Sequence, residues 1–492
     1  MRDWLRREPI VIQSGQGAVL RDVRGREFLD ANSSIWTNLH GHNHPKLNAA
    51  LTRQLKKISH SSALGFANEP ASELAAELVR AAKQNDESRM TNGLGARRAK
   101  AHPPSVVHRL EKVFFSDDGS TALEVALKLA YQFAKRVRGL KQPRFLSLQG
   151  AYHGDTIGAV SVGHIGLFHQ AYGGMLFKSD QVMSPYCYRC PFNRAQPERN
   201  DARKYRKCNW ECVGQVEQKF AARKKRGEPY AAFVFEPLMQ GAAGMIPQPS
   251  GWLRQVTDLA RGHGAQLIAD EVMTGFGRTG VTCHVTEESV TRVLKKSAKS
   301  AESRLFACTR VGVEPDYLCL AKGLTGGYLP MAATLTTQAV FDAFLGEYDE
   351  FKTFFHGHSF TGNQLGAAAG RASLELLRSA ASGRARTRLQ HWLHDELKSL
   401  WSLPNVGDIR QVGLIAGVEL VRDWRTRQPF ALGERAGIRV GEAMARRGVL
   451  TRPIGNVIVL MPPYCTTRAQ LRRMVGALHE SVEEVLGGAG DK

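Results

Sequence analysis

Two short apolar runs, each ending in a charged side chain, decide the fold class of this sequence. Residues 266–271 read QLIADE and residues 317–322 read YLCLAK. Both runs have the length of a buried strand, and similar runs occupy residues 145–148 and 232–235. Helical periodicity over residues 122–133 precedes these strands. This alternation predicts an α/β fold in which helices cover both faces of a mainly parallel sheet.

Charged side chains stand where two of these predicted strands end. Asp270 and Glu271 close the first strand, and Lys322 follows the second, directly before the glycine-rich stretch 323–327. Ligand sites of parallel sheets gather at the carboxyl ends of the strands, and a buried carboxylate stays ionised only beside a cationic partner. Desolvation at such a position lowers the pKa of a lysine and makes its amine nucleophilic. Lys322 taken alone leaves open a lysine that extends into solvent.

A possible anion site lies earlier in the chain. Residues 114–121 read FFSDDGST and lead into a helix that is predicted to begin near Ala122. The free N–H groups and the positive dipole end of a helix attract anions, Gly119 permits close approach, and Ser120 adds a hydroxyl. An ordinary helix N-cap is the alternative.

The remaining sequence predicts a second domain and several insertions. Apolar runs at residues 412–420 and 457–460 indicate a second, smaller sheet. We predict that residues 51–337 form a large domain and that residues 338–492 form a small domain, to which residues 1–50 also contribute. Three stretches are predicted to be insertions, near residues 86–109, 193–227 and 284–310.

Composition excludes several classes of protein. The chain has 492 residues, of which 43% are apolar and 23% charged, as in ordinary globular proteins. No run approaches the roughly 18 apolar residues of a membrane-spanning helix. Residues 1–9 carry charges without an apolar run behind them, which does not match a secretory signal. We therefore expect a cytoplasmic protein without a membrane partner.

The net charge of +21 raises the question of nucleic-acid binding. Residues 194–226 alone contain eleven Lys and Arg residues, a pattern typical of solvated surface segments. Tyr205 and Trp210 are the aromatic residues in the centre of this stretch, which is little support for base stacking. No nucleic-acid partner is expected, although a nucleic-acid-associated basic protein stays a remote alternative.

Two further motifs suggest ligands on spacing alone. Cys187, Cys190, Cys208 and Cys212 approach a zinc-ribbon spacing, but the second pair is one residue too wide, so reduced cysteines are favoured and zinc is left open. Residues 275–280 read GFGRTG, which matches a dinucleotide fingerprint. The residues that follow are rich in β-branched side chains and poor as a helix start, so this interpretation is rejected.

Taken together, the motifs carry a family resemblance. Residues 270–280 (DEVMTGFGRTG) and 322–327 (KGLTGG) resemble class III pyridoxal-phosphate-dependent aminotransferases. Similarity to the biotin-pathway branch of that family is carried by SDDGST (116–121), YHGDTIG (152–158), EPLMQG (236–241), FHGHSFTGN (355–363) and TRP (451–453). The resemblance covers about residues 9–480 apart from the insertions. It implies a fold-type I transferase, with a large domain around a mainly parallel central sheet and a smaller α/β domain.

The resemblance implies pyridoxal 5′-phosphate as the cofactor. Lys322 would be the catalytic residue, which binds the cofactor covalently and then transfers the proton. Asp270 would pair with the pyridinium nitrogen. The other implied cofactor contacts are Gly119 and Ser120 at the phosphate, Tyr152 on the ring, Glu236 in the surrounding polar network, and Ser359 from the neighbouring subunit of a homodimer.

The resemblance also implies the reaction, which is amino transfer to 8-amino-7-oxononanoate with S-adenosyl-L-methionine as donor. Trp36 would line the tunnel for the aliphatic chain, and Arg452 would bind the distal carboxylate bidentately. Tyr152, Gly357 and Lys322 would complete the substrate contacts. Lysine as donor, or another ω-amine as substrate, stays an open alternative.

Two expectations concern the N-terminal part. The resemblance places His40, His42 and His44 in a turn before a helix that begins near Lys46, so no metal is expected. In the family an additional N-terminal arm precedes the segment that begins here with Met1. The true start of the chain is therefore expected to lie upstream of Met1.

Overall fold

The structure is a computed structural model that describes residues 8–83, 109–280 and 305–487. Within these ranges the strands are β1 (Ile12–Gln16), β2 (Val19–Asp22), β3 (Glu27–Asp30), β4 (Leu110–Ser116), β5 (Arg144–Leu148), β6 (Asp180–Val182), β7 (Tyr230–Phe235), β8 (Met239–Gln240), β9 (Ile246–Pro247), β10 (Gln266–Asp270), β11 (Tyr317–Leu320), β12 (Ala332–Thr337), β13 (Val406–Val412), β14 (Ile415–Asp423), β15 (Gln428–Pro429), β16 (Val449–Leu450) and β17 (Val457–Leu460).

Apart from six short 3-10 helices and the four-residue segment Ser33–Trp36, whose φ angles are all positive, the helices of the same ranges surround these strands. They are α1 (Pro45–Leu55), α2 (Glu69–Ala82), α3 (Gly119–Arg136), α4 (Ile157–Val162), α5 (Gly166–His169), α6 (Ala202–Tyr205), α7 (Glu211–Lys225), α8 (Trp252–Gly262), α9 (Ala307–Val311), α10 (Gln338–Asp342), α11 (Gln364–Arg378), α12 (Ala380–Leu397), α13 (Ala436–Arg446) and α14 (Arg468–Leu486).

The central sheet of the large domain has the strand order β4-β12-β11-β10-β7-β5-β6. Strand β10 pairs in parallel with β7 and with β11, and β5 pairs in parallel with β6 and β7. Strand β12 runs antiparallel to both of its neighbours. The predicted mainly parallel sheet is therefore confirmed, and each of the four apolar runs forms one of its strands.

Both faces of this sheet are buried, which explains the absence of polar alternation in its sequences. In β7, Phe233 and Phe235 face one apolar layer, whereas Ala232 and Val234 face the other. Successive side chains of a strand point to opposite faces, so a strand covered on both sides requires apolar residues throughout.

The C-terminal part of the chain contains a second sheet in which β14 pairs with β13, β15 and β17, as predicted. The apolar run 412–420 spans two strands of this sheet, because the chain turns at Gly413 and Leu414 between β13 and β14. Gly413 has a φ of 62°, and a Cβ there would lie 2.1 Å from the Thr279 carbonyl carbon. Strand β16 pairs in parallel with β3, so N-terminal residues share a sheet with residues 449–450. The domain boundaries at residues 50 and 337 stay a prediction.

The basic segment 193–227 contacts the rest of the molecule extensively. Val216 and Phe220 of α7 are buried in the main apolar core. The guanidinium of Arg199 donates to the Leu403 and Val406 carbonyls, both at 2.6 Å. Arg199 of this basic segment is therefore committed to contacts with backbone carbonyls far along the chain. Most of the predicted insertions near 86–109 and 284–310 lies outside the described residues. Across the described ranges, no helix is both long and apolar enough to cross a membrane.

Candidate active site

The ends of two neighbouring strands bring Asp270 and Lys322 into one cavity. Asp270 is the last residue of β10 and pairs in register with Cys319, three residues before Lys322 on the adjacent chain segment. Both side chains line a cavity of about 450 Å³. The parallel register of β10 and β11 thus explains why residues 52 positions apart in sequence share a site.

Asp270 is held by a histidine to which sequence analysis assigned no role. His153 Nδ1 lies 2.8 Å from Asp270 Oδ2, and the Val272 N–H donates to Asp270 Oδ1 at 3.1 Å. Burial opposes protonation of His153, but the hydrogen bond and the charges of Asp270 and Glu236 outweigh it, so the pKa of His153 lies above its ordinary value. A buried carboxylate requires such a partner. In the sequence, His153 directly follows Tyr152, which the family resemblance had already singled out.

Lys322 lies between an aromatic ring and two acidic side chains. Its Nζ is 4.6 Å from the centre of the Trp36 ring. Burial lowers the pKa of Lys322, and the charges of Asp270 and Glu236 oppose this effect without cancelling it. The lowered pKa increases the fraction of the amine that is neutral and able to act as nucleophile or base.

The N-terminus of α3 forms a cradle at the other end of the cavity. The helix begins at Gly119 rather than near Ala122, because Asp118 caps it through a reciprocal pair of hydrogen bonds with Thr121. Gly119 and Ser120 line the cavity, and the Ser120 hydroxyl accepts from the Asp155 N–H at 3.1 Å. The first-turn N–H groups lack acceptors within the helix, and the helix dipole adds positive potential there. This geometry can hold an anionic group.

Glu236 and Tyr152 form the polar wall between these two ends. Glu236 accepts from the Gly241 N–H at 2.8 Å, and burial raises its pKa to about 7. The Tyr152 ring stacks on the His169 ring, with the ring centres 6.4 Å apart. The Tyr152 hydroxyl donates to Asp155 Oδ2 at 2.9 Å. Burial, together with the Asp155 carboxylate, raises the pKa of Tyr152, so its hydroxyl stays protonated.

A larger cavity of about 1180 Å³ shares residues with the first. Trp36, Tyr152 and Lys322 line both cavities, whereas the exposed Arg452 lines only the larger one. Trp36 is fixed by a hydrogen bond from its Nε1 to Asn32 Oδ1 at 2.8 Å. The structure therefore places Arg452 in the same cavity as Lys322, whereas Asp270 and Glu236 line only the smaller cavity.

Gly357 and Ser359 are placed differently from the other predicted site residues. Both are exposed, and neither belongs to the described residues that line the two cavities. Their turn contacts its own chain through His358, whose Nδ1 lies 3.3 Å from Asp117 Oδ1. A single chain thus brings all the other predicted site residues to the two cavities, but it does not bring Gly357 and Ser359 there.

Several sequence motifs have structural explanations. Glu271 accepts from the backbone N–H groups of Ala307 and Cys308, at 2.6 and 2.8 Å, and caps α9. In the stretch 275–280, the Gly277 and Gly280 backbones pack closely against Arg386 and Gln390 of the same chain. These glycines therefore permit close packing between chain segments.

The histidine and cysteine motifs form no metal cluster in the part of the chain that the structure describes. His40 Nε2 lies 3.0 Å from Ser373 Oγ, and His42 Nε2 lies 3.0 Å from Asp30 Oδ2. His44 precedes α1 as its N-cap. Cys187, Cys190, Cys208 and Cys212 are free thiols, and burial raises the pKa of Cys187 to about 12 and that of Cys212 to about 11.

Comparison with known proteins assigns the family. The sequence profile of the class-III aminotransferases matches residues 3–292 and 300–482, and the chain belongs to this family. It is 43% identical over 489 residues to the adenosylmethionine-8-amino-7-oxononanoate aminotransferase of Geobacter sulfurreducens, covering 99% of this chain and 95% of that protein. The protein of the same name from Nitratidesulfovibrio vulgaris is 42% identical, with 100% and 80% covered.

Solved structures agree with this assignment. The crystal structure of adenosylmethionine-8-amino-7-oxononanoate aminotransferase from Methanocaldococcus jannaschii aligns with a TM-score of 0.80 and 35% identity, over 98% of this chain and 95% of that one. An amine transaminase from an uncultivated Pseudomonas species, in its PLP-bound form, gives a TM-score of 0.80 and 30% identity, with 98% and 96% covered. The predicted fold class is confirmed.

Proposed function

We propose that this protein is a pyridoxal-phosphate-dependent aminotransferase that converts 8-amino-7-oxononanoate into 7,8-diaminononanoate, with S-adenosyl-L-methionine as amino donor. One observation carries the proposal: Lys322 faces the same cavity as the buried Asp270–His153 pair. The names of the relatives, which are 38–43% identical over nearly the full chain, support the substrate and the donor.

The residues present fit pyridoxal phosphate. The phosphate fits the N-terminus of α3, where Gly119 lies so close to Val272 that a Cβ would approach it to 2.8 Å. Gly154 closes the same corner, since a Cβ there would lie 2.0 Å from Ser120 Oγ. Asp270 would hold the ring nitrogen, and Tyr152 would pack on the ring. Lys322 would supply the amine that binds the cofactor.

Each of these side chains has a defined task in the reaction. When bound, the cofactor supplies an electron sink for the carbon that carries the amino group. Asp270, oriented by His153, would keep a proton on the ring nitrogen. Lys322 Nζ, whose pKa is lowered, would remove the proton from the donor carbon in the first half-reaction and would deliver a proton to the keto-acid carbon in the second. Trp36 excludes water from the amine, which favours proton transfer over exchange with solvent.

The shape of the larger cavity supports the choice of substrates. Arg452 would pair with the distal carboxylate of the keto acid, while the chain between lies along Trp36 and Ile454. Phe168, Tyr172 and other apolar side chains line the remaining space. The volume of about 1180 Å³ leaves room for a donor as large as S-adenosyl-L-methionine. Lysine, which has no adenosyl group, would fill only part of this cavity.

We also propose that two chains form the active unit and that the protein acts in the cytoplasm. Phe355 and Phe360, which flank Gly357 and Ser359, are 70% and 60% exposed, and Tyr348 is 96% exposed. Exposed apolar side chains of this density are typical of a subunit interface. A second copy would cover them and bring its Ser359 towards the phosphate. The seven described cysteines are free thiols, as is usual in a reducing compartment.

Product analysis tests the proposal. The purified protein is supplied with pyridoxal phosphate, 8-amino-7-oxononanoate and S-adenosyl-L-methionine, and 7,8-diaminononanoate is measured by mass spectrometry. Omission of either substrate should abolish the product. Product formation with lysine but not with S-adenosyl-L-methionine would contradict the proposal that S-adenosyl-L-methionine is the amino donor. The absence of product with either donor would contradict the keto-acid assignment.

A further inference from the structure

We propose that Arg410 of the small domain is a positioning residue, which holds the loop Gly241–Met245 against the active site and thereby sets the affinity for the keto acid. Arg410 is fully buried on β13 and is not among the described residues that line the two cavities. The inference rests on the proposed function for its substrate, but the geometry from which it is derived does not.

The guanidinium of Arg410 joins two domains. Its Nη2 donates to the Gly244 carbonyl at 2.6 Å, and its Nε donates to the Met245 carbonyl at 2.8 Å. Its Nη1 donates to Asp408 Oδ2 at 3.1 Å and to Glu419 Oε2 at 2.6 Å. The planar, five-donor fork of arginine can satisfy two carbonyls and two carboxylates together, which an ammonium cannot do in the same geometry.

The loop that receives these bonds adopts a costly backbone conformation. Gly244 has a φ of 105° and Met245 a φ of 54°, and the latter lies in the left-handed region that non-glycine residues disfavour. The N–H groups of both residues donate to the Gly241 carbonyl, at 3.0 and 2.9 Å. Their own carbonyls need donors because buried backbone groups are costly to leave unpaired, and Arg410 supplies them.

The opposite side of the loop touches the site. The Gly241 N–H donates to Glu236 Oε2 at 2.8 Å, and Ala242 lines both cavities. A Cβ on Gly241 would lie 2.6 Å from Met273 Sδ and 3.4 Å from the Trp36 ring. A small displacement of the loop would therefore move Glu236 and the wall beside Trp36.

The same guanidinium also supports a second part of the cavity wall. Glu419, which Arg410 orients, accepts from Arg189 Nε at 2.6 Å and from the Tyr186 hydroxyl. Tyr186 and Arg189 line the larger cavity. Arg410 thus acts on the substrate space through the loop on one side and through Glu419 on the other.

Arg203 provides a matched control for this role. It also pairs with a carboxylate, at 2.5 Å from Asp201 Oδ2, and it donates to the Gln411 carbonyl of β13 at 2.8 Å. Its bonds go to the residue next to Arg410, but not to the loop. Replacing each arginine with lysine retains the charge and removes the fork.

The test compares Arg410→Lys with Arg203→Lys as holoenzymes. Arg410→Lys is expected to lower kcat/KM for the keto acid about 10-fold or more, mainly through KM, because a displaced wall alters substrate positioning. Amide hydrogen exchange of a peptide spanning residues 241–246 should become faster. Arg203→Lys should change neither quantity. Tyr186→Phe, which removes only the hydroxyl group that binds Glu419, should raise KM by a smaller factor.

The outcomes separate the inference from the proposed function. Equal exchange rates and equal KM values in Arg410→Lys and Arg203→Lys would overturn the positioning role. Equal decreases in kcat and equal increases in KM in both lysine variants would also overturn it, since they would report general destabilisation. If the wild-type protein does not aminate the keto acid, the proposed function fails, and the exchange comparison still decides whether Arg410 holds the loop.

Discussion

The cavity around Lys322 and the turn that carries Gly357 and Ser359 differ in how completely one chain builds them. At Lys322, neighbouring strand ends, His153 and the N-terminus of α3 close the cavity within one chain. At the turn, Phe355 and Phe360 are exposed. Ser359 is not among the described residues that line either cavity. The difference supports the proposal that one chain contains the residues around Lys322, and that a second copy completes the phosphate site through its turn.

The largest expected effect is at Lys322. Lys322→Ala should abolish turnover, because it removes the amine that binds the cofactor and the base that moves the proton. General base catalysis alone contributes roughly 10²–10⁴-fold. Steady-state product formation measures the effect, and circular dichroism checks that the fold persists. Retention of a tenth of the wild-type rate would exclude Lys322 as the catalytic residue.

The next effect distinguishes the two substrates. Arg452→Ala should slow the keto-acid half-reaction about 10- to 100-fold, the loss expected for hydrogen bonds to a charged group, and should affect the donor half-reaction much less. Stopped-flow absorbance measures each half-reaction separately. Arg446→Ala, an exposed arginine of the same domain that pairs with Glu484, is the control. Equal losses in both half-reactions would show that Arg452 does not select the keto acid.

A mixing experiment tests the second region directly. Ser359→Ala should weaken cofactor binding by roughly 10-fold, the effect of a hydrogen bond to an anion. When it is mixed and reassembled with Lys322→Ala, each heterodimer should regain one intact site if Ser359 serves the partner chain. Cofactor titration and activity of the mixture report this recovery. If Ser359 serves its own chain, no intact site forms and activity does not rise.

The smallest effect concerns stability and pH. Burial raises the pKa of Glu236 from 4.5 to about 7. Between these values the unfolded chain releases a proton that the folded chain keeps, so stability falls as pH rises through this window. Glu236→Gln removes this dependence, which amounts to at most about 3 kcal/mol. Urea unfolding of the apoprotein at pH 4.5 and pH 7.5 measures it. The exposed Glu375→Gln should retain the wild-type dependence, and a Glu236→Gln variant that does the same would contradict the assigned pKa.

The sequence predicted the strand ends well because continuous apolar runs are a local signal. QLIAD and YLCL each became a buried parallel strand, and Asp270 and Lys322 followed from them. His153 could have been found, since a buried carboxylate requires a partner and the histidine stands in a quoted motif. The turn at Gly413 was missed because a glycine within an apolar run does not distinguish a strand from a hairpin.

Arg410 could not be predicted in the same way. Its partners Gly244 and Met245 are about 165 positions away, and the requirement for its guanidinium arises only where β13 packs against their loop. Residues 357–359 were recognised by family resemblance, whereas their exposure within one chain is a property of the folded surface. Local patterns therefore predicted where Asp270 and Lys322 lie, and long-range packing determined how the site is supported.

The most direct test of the central claim is a pair of half-reactions followed through the absorbance of the bound cofactor. S-adenosyl-L-methionine alone should convert the cofactor to its amine form, and 8-amino-7-oxononanoate, added after removal of the donor, should restore the original spectrum. Each addition should produce a stoichiometric change without the other substrate present. If the donor leaves the spectrum unchanged, or if the keto acid fails to restore it, the protein does not catalyse the proposed transamination.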